Sequence, residues 1–132
     1  MIPKVLIGLV PLGSAEPGPA AEGRETILID DDPLVRMTWK LAASRSGNRL
    51  RAFATALEFL EAAPSIDRCA PVYIDAELGD GVDGARESVR IRELGFESVY
   101  LATGHPAASF AGLMHLRGVV GKEPPWTGSS AA

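Results

Sequence analysis

Cysteine occurs once in these 132 residues, at Cys69, so no disulfide can form within the chain. That favours a reducing compartment, and the sequence reading places Cys69 as a small core residue. Histidine occurs only at His105 and His115. The two are too isolated for a metal site, and His115 reads as a helix-surface residue. No apolar run approaches the ~20 residues of a membrane span. The opening Met1–Val10 holds a short apolar stretch broken off by Pro11, which argues against a signal peptide. Basic residues are in the minority, 13 Lys and Arg against 17 Asp and Glu, a net charge of -4. With no basic stripe, nucleic acid is excluded as the main partner, and the acidic balance suits a cation site or a basic protein partner. Aromatics are scarce, 6% of the chain. Trp39 and Trp126 read as packing residues rather than ligand stacks.

An apolar content of 46% and a charged content of 23% are ordinary for a globular domain, and the length suits one domain with its own core. Residues 11–24 (PLGSAEPGPAAEGR) are rich in Pro, Gly and Ala and lack periodicity, so residues 1–24 read as a flexible extension. The domain is expected over residues 25–125, with a disordered tail over 126–132. Strands and helices then alternate. An apolar strand covers 26–29; Asp32 caps a helix with Pro33 at its first position, Leu34, Thr38, Leu41 and Ala42 share a helical face, and Gly47 closes it. A strand is expected at Arg49–Phe53. Thr55-Ala56-Leu57-Glu58 is a capping box for a second helix ended by Pro64. Strand 71–74 follows. Asp83 caps a third helix carrying Ala85, Val89, Ile91 and Leu94, and Gly95 stops it. Strand 98–102, a fourth helix from Pro106 through Phe110, Leu113 and Met114, and strand 118–121 complete the pattern. Such alternation implies parallel strands with helices on both faces.

The apolar runs end in chemistry. Thr26–Ile29 is followed by Asp30-Asp31-Asp32, Val72–Ile74 by Asp75, Val99–Ala102 by Thr103, and Val119–Gly121 by Lys122. Ligands of open parallel sheets bind beyond the carboxyl ends of the strands, so neighbouring runs would bring acids, a hydroxyl and an ammonium to one spot. Such a spot would hold a divalent cation and a phosphoryl group. Adjacent carboxylates repel one another, which favours a cation site at Asp30 and Asp31 over a bare solvated turn.

The motifs Ile27-Leu28-Ile29-Asp30-Asp31-Asp32-Pro33-Leu34, Val72-Tyr73-Ile74-Asp75, Leu101-Ala102-Thr103-Gly104-His105 and Gly121-Lys122-Glu123-Pro124 stand in an order and spacing that resembles the receiver domain of two-component response regulators. The resemblance covers residues 25–125. It implies a doubly wound α/β fold of the flavodoxin-like kind, a five-stranded parallel sheet in order 2-1-3-4-5. The short stretch before Lys122 implies a shortened fourth helix, and the prolines after it a missing or rudimentary fifth. The resemblance also implies that Asp75 accepts a phosphoryl group from a histidine kinase or histidine phosphotransfer protein. Asp30, Asp31, Asp75 and the backbone carbonyl of Glu77 would hold Mg²⁺, and Thr103 and Lys122 would contact the phosphoryl group. A cytoplasmic, stand-alone module follows, with a downstream protein target, self-pairing left open, and no membrane or direct nucleic-acid partner. It would promote its own phosphorylation and dephosphorylation rather than turn over like a conventional enzyme.

The chemistry asks for these residue types. A carboxylate attacking a phosphoryl group brings negative charge against negative charge, which Mg²⁺ and an ammonium relieve. His105 and Glu77, two residues past Thr103 and Asp75, would border the site. The chain departs from the family in having Val119 where a switching aromatic is common and Gly79 where proline is common. A degenerate receiver acting as a phosphorylation-independent interaction module is therefore the alternative. A small phosphatase with Asp75 as nucleophile is weaker, because Glu77 stands where a second aspartate is expected.

Overall fold

The computed structural model describes residues 25–79 and 81–126; the expectations for residues 1–24 and for the tail beyond Trp126 lie outside them. The elements in chain order are β1 (Glu25–Ile29), α1 (Pro33–Ser46), β2 (Arg49–Phe53), α2 (Ala56–Ala62) running into a 3₁₀ turn (Ala63–Ser65), β3 (Val72–Ile74), β4 (Glu77–Leu78), β5 (Val82–Asp83), α3 (Gly84–Glu93), β6 (Val99–Ala102), a second 3₁₀ turn (Ala107–Phe110) and β7 (Gly118–Val120). β2, β1, β3, β6 and β7 form one parallel sheet in that order, with Ile29 beside Ile74 and Ile74 beside Leu101. This is the expected 2-1-3-4-5 winding once β4 and β5, which pair only with each other as a small antiparallel hairpin, are set aside.

Both sheet faces are covered, which explains why the strands read as continuous apolar runs rather than alternating ones. Ile27, Ile29, Val72, Ile74, Val99 and Leu101 pack with Phe59 of α2, Ile91 of α3 and Phe96. The ring centroid of Phe59 lies 5.8 Å from that of Phe53 and 5.3 Å from that of Phe96. On the other face Leu28, Ala102 and Trp39 of α1 form a second cluster, with Val35, Leu50, Tyr73 and Trp126 against it. Tyr73 stacks on Tyr100 at 4.6 Å. Burial, reinforced by Tyr100, pushes the Tyr73 hydroxyl up to about 12, so it stays neutral.

The caps are as expected from sequence. The Asp32 side chain accepts from the Leu34 amide, Thr55 accepts from Glu58, Asp83 accepts from Ala85 and Arg86, and Gly47 ends α1 at φ +74°. Glu58 reaches back to the amide of Ala54, one residue before the cap, at 3.0 Å.

Several side-chain placements differ from the sequence reading. On α1 the sheet-facing set is Val35, Trp39 and Ala43, whereas Leu34 and Leu41 are 68% and 52% exposed. Both sets have helical spacing, and the largest side chain takes the sheet. On α3 the buried positions are Gly84, Ser88 and Ile91, while Val89 and Leu94 lie outside. α2 ends two residues before Pro64, as expected, and Pro64 itself sits in the 3₁₀ turn that continues from the helix. The fourth helix, expected to be short, is reduced to a single 3₁₀ turn; Ala111 is already extended at φ -60°, ψ 140°, and Gly112 follows at φ +97°. Among the described residues no α-helix follows α3. His115 therefore lies in a turn rather than on a helix, with its Nε2 2.7 Å from the Oγ of the buried Ser88. Cys69 is exposed, not in the core, in a turn whose amide bonds the Asp67 carboxylate. No helix among the described residues is long and apolar enough to cross a membrane.

Candidate functional site

Asp30 and Asp75 sit at the carboxyl ends of the adjacent strands β1 and β3, one residue beyond the paired Ile29 and Ile74. Asp30 is fully buried. A buried carboxylate has to be partnered, and Asp30 is: Oδ1 accepts from the Asp32 amide at 2.9 Å, and Oδ2 lies 2.6 Å from Lys122 Nζ. Its main-chain carbonyl accepts from Arg36 on α1 at 2.9 Å. Asp75 Oδ2 lies 3.0 Å from the same Lys122 Nζ, and its Oδ1 accepts from the Glu77 amide at 3.2 Å.

Asp31 is exposed, and it completes a group in which Asp30, Asp31 and Asp75 each offer an oxygen within 4.8 Å of the others. Gly79 in the β4–β5 turn makes room for it, since a Cβ there would stand 2.9 Å from Asp31 Oδ2. Three carboxylates against one ammonium leave an excess of negative charge. The donors are all hard oxygens, the set that suits Mg²⁺ or Ca²⁺ rather than a soft metal.

The electrostatics follow from this crowding. Loss of solvation raises the Asp75 pKa, Lys122 and the Glu77 amide pull it back, and the charge of Asp30 adds to the rise; the net direction is upward. For Lys122, burial works against its charge, but hydrogen bonds and attraction from Asp30 and Asp75 outweigh burial, so its pKa is raised and it remains an ammonium.

Thr103 is buried at the end of β6, where its amide bonds the Val120 carbonyl at 2.9 Å and its Oγ1 accepts from the His105 amide at 3.1 Å. His105 Nε2 in turn lies 3.0 Å from Glu77 Oε2, so the two flanking positions meet in an exposed pair. Val119 packs among the partly buried residues of the main core.

Other contributors were not recognised from sequence. Arg36 and Trp39 on α1 hold the carbonyls of Asp30 and Lys122, the second through the indole Nε1–H at 2.9 Å. Their spacing of three residues was a signal that both point to the same side of the helix. Gly84 lies against the Asp75 backbone, where a Cβ would come 1.7 Å from the Asp75 carbonyl oxygen. Its place immediately after the capping Asp83 gave no hint of that contact.

A scan against protein-family models gives no match, and neither does a search of curated proteins. Solved structures do match. The response regulator protein TrrA from Thermotoga maritima, solved in complex with Mg²⁺ and BeF, is 18% identical with a TM-score of 0.67, over 82% of this chain and 94% of its own. The N-terminal domain of a response regulator/sensory box/GGDEF three-domain protein from Carboxydothermus hydrogenoformans is 17% identical with a TM-score of 0.66, over 82% and 89%. A response regulator receiver protein from Sinorhizobium medicae is 20% identical with a TM-score of 0.61, over 82% and 87%. The sheet order, the helices on both faces and these likenesses agree: the chain has the fold of response regulator receiver domains.

Proposed function

We propose that this chain is a receiver that takes a phosphoryl group on Asp75, in a Mg²⁺-dependent reaction, from a histidine kinase or histidine phosphotransfer protein. The observation that carries the reading is the meeting of Asp30, Asp31 and Asp75 within 4.8 Å, with the Lys122 ammonium 2.6 Å from Asp30 and 3.0 Å from Asp75. Asp30, Asp31, Asp75 and the main-chain carbonyl of Glu77 would hold Mg²⁺. When bound, Mg²⁺ would supply the positive charge that offsets repulsion between carboxylate and phosphoryl oxygens.

In the transfer a carboxylate oxygen of Asp75 attacks phosphorus, the P–N bond of a phosphohistidine breaks, and its electron pair leaves with the imidazole nitrogen, which takes a proton. The product is an acyl phosphate on Asp75. Lys122 keeps its proton and stands at the acceptor carboxylate, so its charge is available to the incoming phosphoryl oxygens. The Glu77 amide holds the other oxygen of Asp75, fixing the direction of attack. The Thr103 hydroxyl, buried at the neighbouring strand end, would turn toward the phosphoryl group and carry its presence to the surface, where a downstream protein reads it. A cytoplasmic location belongs to the same reading. Water attack on phosphorus returns inorganic phosphate and the free carboxylate.

Incubation with Mg²⁺ and acetyl phosphate or phosphoramidate, read by intact mass, tests the proposal. A phosphate adduct on the native chain, absent from Asp75→Asn and on omitting Mg²⁺, is expected. No adduct from either donor or from a phosphorylated histidine partner would sink it. One observation favours a second reading, a phosphorylation-independent interaction module: the segment after β6 keeps only a 3₁₀ turn and lacks an aromatic at Val119.

A further inference from the structure

We propose that Trp39 is a positioning residue for Lys122, holding the lysine's main chain so that its ammonium stands between Asp30 and Asp75. Trp39 is fully buried, and its single polar atom donates to the Lys122 carbonyl at 2.9 Å across 83 residues of sequence. A packing tryptophan needs only its rings; this one gives its N–H to Lys122, whose side chain touches both carboxylates. The indole is itself clamped, edge-on to Tyr73 at 5.3 Å and to Trp126 at 5.9 Å. Lys122 lies past the last strand, and among the described residues no α-helix follows to anchor the loop. α1 takes that task instead. Arg36 holds the Asp30 carbonyl and Trp39 the Lys122 carbonyl, so one helix ties both ends of the 2.6 Å Asp30–Lys122 contact. Losing such a hydrogen bond shifts a local equilibrium by about fivefold, and an ammonium misplaced by a fraction of an ångström serves the site poorly.

The effect on rate rests on the phosphoacceptor reading above; the effect on lysine placement does not, and the experiment separates the two. The chain has lysines only at positions 4, 40 and 122, and Lys40 is exposed, so it serves as an internal standard. Full-length native and Trp39→Phe chains, checked by thermal melting, are treated with limiting formaldehyde and cyanoborohydride, and methylation is read peptide by peptide. Lys122 is expected to lag behind Lys40 in the native chain, and about fivefold of that protection should vanish in Trp39→Phe. Unchanged protection overturns the proposal.

Asp75 modification by acetyl phosphate with Mg²⁺ is then timed in the native, Trp39→Phe, Lys122→Ala and double-variant chains. Trp39→Phe should slow the reaction about fivefold when Lys122 is present and less than about twofold when it is absent, since a residue acting through another has nothing left to act on. An equal slowing in both backgrounds marks a general structural role and overturns the proposal. Absence of any adduct on the native chain defeats the phosphoacceptor reading alone and leaves the methylation result to decide lysine placement. Should Trp39→Phe fail to fold, the Trp39 indole N–H resonance, isolated in Trp126→Phe, replaces it. Adding Lys122→Ala should move that resonance; an unmoved resonance overturns the proposal.

Discussion

The Lys122 ammonium stands 2.6 Å from the buried carboxylate of Asp30. This contact does for the site what a bound cation would do, since it neutralises a carboxylate that water cannot reach. A divalent ion entering the acidic group therefore competes with the lysine for Asp30. Lys122→Met should bind Mg²⁺ more tightly, by roughly tenfold, while its metal-free form loses about 1–3 kcal/mol of stability. The two effects have one cause, the Asp30 charge left without its partner. Calorimetric titration with Mg²⁺ and a thermal melt with and without the ion measure both. Equal or weaker Mg²⁺ binding in the variant would remove the competition argument.

The same lysine sets an alkaline limit. Its pKa in the folded chain lies above the ordinary 10.5. A group that holds its proton more tightly when folded contributes stability in full below its unfolded pKa and loses it as pH rises through the folded one. The native chain should lose its advantage over Lys122→Met only in that alkaline window, beginning near pH 10.5. Urea melts of both chains between neutral pH and that window test this. An advantage already gone at neutral pH contradicts it.

Asp75 presents the opposite balance. Its pKa is raised above the ordinary 3.8, chiefly by loss of solvation, so its charge costs stability when no metal is bound. The sign is the same as for the lysine: a raised folded pKa means stability present below the unfolded value and lost as pH rises through the folded one. Asp75→Asn has no such loss. It should therefore melt at a higher temperature than the native chain at neutral pH without Mg²⁺. The gap should close on acidification below the ordinary carboxyl range, and saturating Mg²⁺ should narrow it from the other side. A variant less stable than the native chain at neutral pH contradicts this.

How far the sequence reaches is clear from particular residues. Asp32, Thr55 and Asp83 announced the helix starts because a cap is a local event, decided by a side chain and an amide two or three residues away. The alternation of apolar runs and helical stretches gave parallel strands with helices on both faces, whereas the strand order came from the family resemblance that the four motifs carry. What escaped was long-range. Whether Leu34 or Trp39 faces the sheet depends on volumes on another strand, and periodicity alone allows both. The shortening of the fourth helix was expected, but not that only a 3₁₀ turn would remain, with Ala111 already extended at φ -60°, ψ 140°. The Trp39–Lys122 bond joins residues 83 apart and has no local signature.

Ser88 shows how that altered segment is held. It is buried on α3, donates to the Ala85 carbonyl at 2.6 Å and lies 2.7 Å from His115 Nε2. With its proton committed to the carbonyl, the hydroxyl accepts from the imidazole, and this bond fastens the turn before β7 to the helix beneath it. Ser88→Ala should cost about 1–2 kcal/mol and speed amide hydrogen exchange over residues 112–117 while leaving β1 and β3 protected. Exchange that rises evenly across the domain would mean that the bond does not act locally.

Gly84 tests how closely α3 is packed against the end of β3. Its own amide bonds the Ala76 carbonyl at 2.8 Å, and a Cβ on it would reach 1.7 Å from the Asp75 carbonyl oxygen and 3.0 Å from the Ala76 Cα. Those atoms are backbone and cannot rotate aside, so Gly84→Ala has to push α3 away from β3 or shift Asp75 itself. A loss of roughly 3 kcal/mol or more and weakened Mg²⁺ binding are expected, the size of effect that overpacking at a tight contact produces. Gly47→Ala is the control: it meets no atom within 4 Å, and its φ of +74° alone carries a cost of about 1 kcal/mol with no effect on the metal. Similar losses from the two substitutions, with Mg²⁺ affinity intact in both, would show that the Gly84–Asp75 approach is looser than these distances imply.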